Sequence, residues 1–81
     1  MKENVRINTP FIKLEQLLKL TGVSATGGEA KNVIINGGAA VNGEICLERG
    51  RKLFGGEEVS VKGDDKIYKV MAGRNGYPDD N

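Results

Sequence analysis

Residues 4–8 (NVRIN) alternate polar and apolar side chains, with Val5 and Ile7 on one side. That period of two predicts a short strand. Pro10 cannot donate to a ladder and ends it. The period then changes. Leu14, Leu17, Leu18 and Thr21 fall at i, i+3, i+4 and i+7, one face of a helix. Glu15 precedes Lys19 by four residues, the favourable order for a helical ion pair, and Gly22 is placed to stop the helix. A second, shorter helix is predicted after Thr26. Thr26 and Glu29 have capping-box spacing, Ala30, Val33 and Ile34 form the buried stripe, and Gly37 is suited to end it.

Beyond Gly37 the period returns to two. Asn42-Gly43 between Val41 and Ile45 is a hairpin signal, because both turn positions need positive φ. A second hairpin is read in EEVSVKGDDKIYKV: Val59 and Val61 go out, residues 63–65 turn, and Ile67 and Val70 return. Residues 72–81 have no periodicity and are expected to form a disordered tail, with Tyr77 the one residue able to dock it. Strand, two helices, then strands: the order predicts one α+β domain over residues 1–71. Its two short helices pack on a small antiparallel sheet of about four to five strands.

Composition narrows the function. With 81 residues the core is small. Cys46 has no cysteine to pair with, so a reducing, cytoplasmic setting and a buried thiol are expected. Histidine is absent, and no cysteine spacing, paired carboxylates or P-loop is visible, so no metal, cofactor, small-molecule substrate or catalysis is expected. No apolar run is long enough for a membrane span, and MKENVRINTP has no leader-like apolar stretch. A soluble monomer is the expectation.

Charge is gathered locally. Net charge is only +1, yet Arg49, Arg51 and Lys52 lie within four residues. Residues 1–62 carry +2 and residues 63–81 carry −1. An anionic partner must therefore meet a patch rather than the whole surface. In an extended segment Arg49 and Arg51 share a face, about 7 Å apart, near the spacing of phosphates along one strand. Thr26, Gly27 and Gly28 open the second helix, where unpaired N–H groups favour a phosphate and glycine admits a close backbone. Lys31 lies one turn further on, and Lys31 and Asn32 are off the apolar stripe. On the residues alone a blander reading stays open: loop glycines, a solvated lysine, and a basic segment paired with Glu44 and Glu48. Phe11 and Phe54 read as core and Tyr68 as exposed, and so few aromatics argue against base stacking on a sheet.

The succession of a leucine-bearing helix, SATGGEAK, a short helix, GGAAVNGE, a basic stretch and GGEEVSV resembles the S-four RNA-binding domain, or alpha-L motif. The likeness covers residues 11–61 and is strongest to short, stand-alone bacterial members, where LLKL, GGEAK and RGRKL recur. The chain departs from the pattern at two places. Ser24 is followed by Ala25 and Thr26 instead of the arginine many members have, which removes one expected phosphate contact. Gly56-Glu57 replaces a Gly-Asp turn. The resemblance implies a partner of structured RNA, ribosomal RNA or the ribosome, in ribosome assembly or ribosome rescue. It assigns RNA contact to Lys13, Thr26, Gly27, Gly28, Lys31, Asn32, Arg49, Arg51 and Lys52, and places the basic segment beside the second helix. The competing class, a protein-interaction or ubiquitin-like carrier domain, needs a C-terminal Gly-Gly and a longer helix, whereas this sequence ends YPDDN.

Overall fold

The computed structural model describes residues 1–72. The elements run β1 (Lys2–Arg6), β2 (Ile12–Lys13), α1 (Leu14–Leu20), α2 (Gly27–Ile35), β3 (Ala39–Val41), β4 (Glu44–Ile45), β5 (Lys52–Leu53), β6 (Glu58–Val61) and β7 (Ile67–Met71). A five-stranded sheet has the order β1-β7-β6-β3-β4, and β2 pairs with β5 in a separate two-stranded ladder. The fold is α+β, with Leu14, Leu17 and Leu18 of α1 and Ala30 and Ile34 of α2 buried against the sheet. Across the core they meet Val5, Ala39, Val41, Val59, Val61, Tyr68 and Val70. Each fully buried leucine or valine stabilises the fold by about 1.5–3 kcal/mol relative to exposure.

The local signals act as expected. Asn42 and Gly43 take φ of 54° and 86°, and the turn they make closes the β3–β4 hairpin. The Asn42 side chain also accepts the Glu58 N–H at 3.0 Å, which ties that turn to the next strand. The Thr26 hydroxyl accepts the Glu29 N–H at 3.1 Å. Its reciprocal bond is shifted: the Glu29 carboxylate accepts from Ala25, at 2.9 Å, one residue before the capping-box position. Gly22 and Gly37 end the two helices with positive φ.

Three features differ from the sequence reading. The sheet is mixed rather than wholly antiparallel, because β1 runs parallel to β7 with Lys2 opposite Ile67 and Arg6 opposite Met71. A parallel pair needs a long crossover, and here the rest of the domain supplies it. Tyr68 is buried, since Tyr68 and Val70 face the core while Ile67 and Lys69 stay half-buried. Phe54 is 58% exposed and Phe11 only half-buried; Leu53 is the residue of β5 that enters the core. The expected tail beyond Ala72, with Tyr77 and Arg74, lies outside the described residues.

Tyr68 satisfies its hydroxyl by donating to the Asp64 carboxylate at 2.8 Å. That bond, then burial, then the charges of Asp64 and Glu3 push the phenol up to about 12 from its ordinary 10.0. The folded state therefore retains the proton longer than the unfolded chain. The resulting stabilisation is complete below pH 10.0 and is lost as pH rises toward about 12. Tyr68→Phe is expected to lower stability by about 1 kcal/mol at neutral pH. Urea unfolding across a pH series should show the gap closing above pH 10.0. A gap that widens there contradicts the assignment.

Candidate nucleic-acid interface

The first N–H groups of a helix have no partner inside it. In α1 the basic segment provides them. Leu14 N–H donates to the Arg51 carbonyl at 2.9 Å, and Glu15 N–H to the Arg49 carbonyl at 3.0 Å. The side-chain carbonyl of Gln16 accepts the Lys13 N–H at 3.0 Å. Glu48 and Arg51 close a turn through the Arg51 N–H, at 3.2 Å, with Arg49 and Gly50 at its tip. The extended course expected for residues 49–52 is therefore broken by a turn, and Arg49 and Arg51 do not stand side by side on one face of an extended strand. The segment was also expected beside the second helix. Its backbone bonds instead go to the first helix, which packs on the second.

Lys13 and Lys52 stand directly opposite one another where β2 pairs with β5. Like charges at opposed positions destabilise a ladder, so the fold tolerates a local cost here. Lys52 places its Nζ 4.9 Å from the centre of the Phe11 ring, which recovers part of that cost. Arg49 is paired with Glu15, Nη1 to Oε1 at 3.8 Å. Glu15 was expected to pair with Lys19, one turn along α1; Arg49 takes its place. Among the described residues Lys13, Lys19, Lys31 and Arg51 form no ion pair, whereas Lys2 is bound to Glu58 at 2.9 Å and Lys66 to Glu3 at 3.3 Å.

At the start of α2 the surface is bare. Gly27 and Gly28 are its first two residues, and neither has positive φ. A methyl group at Gly27 would meet only the Lys19 Nζ, at 3.9 Å, and one at Gly28 only the Thr26 hydroxyl, at 3.8 Å. Folding does not require glycine at either position. The glycines leave the helix backbone accessible, next to the exposed Lys19 and Lys31. Asn32, one turn beyond Gly28, is exposed as well.

The candidate residues thus fall into two groups. Lys13, Arg49, Arg51 and Lys52 surround the start of α1; Thr26, Gly27, Gly28, Lys31 and Asn32 lie at the start of α2 and along its first turns. Helix α1 links them, with Glu15 at the Arg49 end and Lys19 one turn away against Gly27. Lys19 is the neighbour of the candidate residues that the sequence reading left out. Its signal was the four-residue spacing from Glu15, which was read as an ion pair. Among the described residues no three His, Cys, Asp or Glu side chains group to hold a metal, and no helix is long and apolar enough to cross a membrane.

A family model described as S4 domain matches residues 5–71, and the chain belongs to that family. A curated relative from Bacillus subtilis (strain 168), "Probable ribosome maturation protein RlbA", is 40% identical over 63 residues, covering 78% of this chain and 89% of the relative.

Glu57 holds the chain just beyond β5 in place. Its carboxylate accepts the N–H groups of Phe54 and Gly55, at 2.9 and 2.7 Å. Burial pushes this carboxyl up, but those two amides, its own N–H and the Arg51 charge outweigh it, and the pKa falls below 4.5. A carboxylate with a depressed folded value stabilises the fold above its unfolded value and loses that contribution as pH falls through the folded one. Glu57→Gln is expected to lower stability by about 1 kcal/mol or less at pH 7, allowing for its exposure. The deficit should disappear in acid below pH 4.5. Melting curves at neutral and acid pH check this; an equal deficit at both would mean that charge is not involved.

Proposed function

We propose that this chain binds structured RNA, ribosomal RNA or the ribosome, and serves ribosome assembly without catalysing a reaction. The carrying observation is the open start of α2, where two glycines that folding does not require lie beside Lys19 and Lys31, which form no ion pair among the described residues. Cations without an ion pair beside an open helix start suit phosphate oxygens. Family membership supports the same reading, and a relative named for ribosome maturation favours assembly over rescue. The chain acts in the cytoplasm as a monomer, with no small-molecule substrate.

The mechanism is recognition of a folded backbone. Cations at the start of α1 and glycines at the start of α2 contact phosphates along neighbouring stretches of RNA, and the rigid spacing of the two groups selects shape. With a net charge of +1, little attraction acts outside the patch, so affinity depends on how many of these contacts a given RNA can make together.

Binding should weaken with salt, with a slope of about −0.7 to −0.9 per phosphate contact. Arg51→Ala and Lys31→Ala are each expected to weaken binding severalfold, to lower the salt slope by about 1 and to leave the melting temperature unchanged. A variant that melts lower and binds normally marks its residue as structural. Gly28→Ala should act in the opposite sense on the two measurements. It should stabilise the fold by about 0.5 kcal/mol, because alanine fits the helix, and weaken RNA binding by intruding on the approach of the backbone. Unchanged affinity in this variant would remove the α2 start from the interface.

A further inference from the structure

Phe11 and Phe54 pack ring against ring at the surface, with centroids 5.8 Å apart and planes inclined at 58°. Phe54 leaves 58% of its surface to solvent. A single exposed apolar side chain is ordinary, but Phe54 joins Phe11, and the depression beside Phe11 is also lined by Leu20, 61% exposed; an exposed apolar patch of this kind marks a contact surface. Phe54 is also fixed in place. The Glu57 carboxylate binds the amides of Phe54 and Gly55, and the preceding strand is paired to β2 through Leu53 and Ile12. Beside Phe11 lies an open depression of about 530 Å³, floored by Pro10, Phe11, Ile12 and Leu20, with Lys13 and Gln16 at its rim. Lys52 adds its ammonium over the Phe11 ring at 4.9 Å. Only the Gln16 side-chain carbonyl is engaged; among the described residues its amide N–H groups make no hydrogen bond.

The occupant must satisfy several demands at once. It must offer a flat apolar face to the rings, a polar edge to Gln16, and negative charge to Lys13 and Lys52. An apolar peptide would cover the opposed Lys13 and Lys52 without neutralising them, which is costly. A nucleotide meets every demand, since its base is flat with a polar edge and its phosphates lie beside it. We infer that the Phe11–Phe54 pair and the adjoining depression receive one unpaired nucleobase of the bound RNA, with flanking phosphates on Lys13 and Lys52. This rests on the RNA-binding reading and adds to it a preference: the RNA presents an unstacked base next to the helical segment whose backbone the cations contact.

The test compares two probes, a short blunt RNA duplex and the same duplex carrying one bulged 2-aminopurine. Stacking on an aromatic side chain contributes about 1–3 kcal/mol per base, so the intact protein should prefer the bulged duplex by on the order of 10-fold. The 2-aminopurine fluorescence should change on binding, as the base leaves its RNA neighbours for the phenyl rings. Phe54→Ala should bind the blunt duplex as the parent does, while losing the preference and the fluorescence change. Phe54→Leu retains apolar bulk without an aromatic face and should behave likewise, and Phe54→Tyr should restore both signals. Melting temperatures of the variants establish that they are folded. Equal affinity for the two probes with unchanged fluorescence overturns this inference and leaves RNA binding standing. So does a Phe54→Ala variant that retains the preference. Failure of the intact protein to bind either duplex at low salt overturns both readings together.

Discussion

Two hydrogen bonds, from the amides of Leu14 and Glu15 to the carbonyls of Arg51 and Arg49, join segments far apart in sequence and shape the interface that follows. A seven-residue helix is too short to form alone. It exists because its leucines are buried and its open end is closed by the basic loop. The loop, in turn, has no regular structure over residues 46–51, and its course is set by those carbonyls. Each part is thus a condition of the other. The side chains of Arg49, Arg51, Lys52 and Lys13 inherit fixed positions from this mutual dependence.

The arrangement carries a cost that core packing does not explain. Cations are placed near the positive end of α1, where the helix dipole opposes them, and Lys13 faces Lys52 across a ladder. Glu15 offsets part of this through Arg49, and the Phe11 ring offsets part through Lys52. Two glycines open α2 where alanine would fit. These local choices reduce stability, and the fully buried Leu17, Leu18, Leu53, Val59 and Val70 offset them.

The legible parts of the fold were those whose causes lie within a few residues. Leu14, Leu17 and Leu18 announced a helical face, Thr26 its neighbour's start, and Asn42-Gly43 a turn, because each depends on spacing or on local φ. The family was legible too, since several such signals occur in order. What escaped depends on distant contacts. Nothing in the alternation of residues 4–8 states which strand they join or in which direction. Tyr68 is buried because Asp64 accepts its hydroxyl, and Phe54 is exposed because the bonds to Glu57 turn the chain away from the core. Among the candidate residues the cations and glycines were visible as residue types, but their partners were not. Arg49 takes the acid that spacing had given to Lys19, and a turn replaces the extended run.

The pairing of β1 with β7 has a consequence for how the domain comes into being. The ladder joins residues 2–6 to residues 67–71, so the first strand made must wait for the last before it has anything to bond. Both helices, the basic loop and the β3–β6 ladder are complete in sequence before then. The ladder thus ties the two ends of the described domain to each other, the pairing of longest sequence separation in the sheet and the kind of contact that raises contact order. Trimming a few residues from either side of that ladder strips away the same seam.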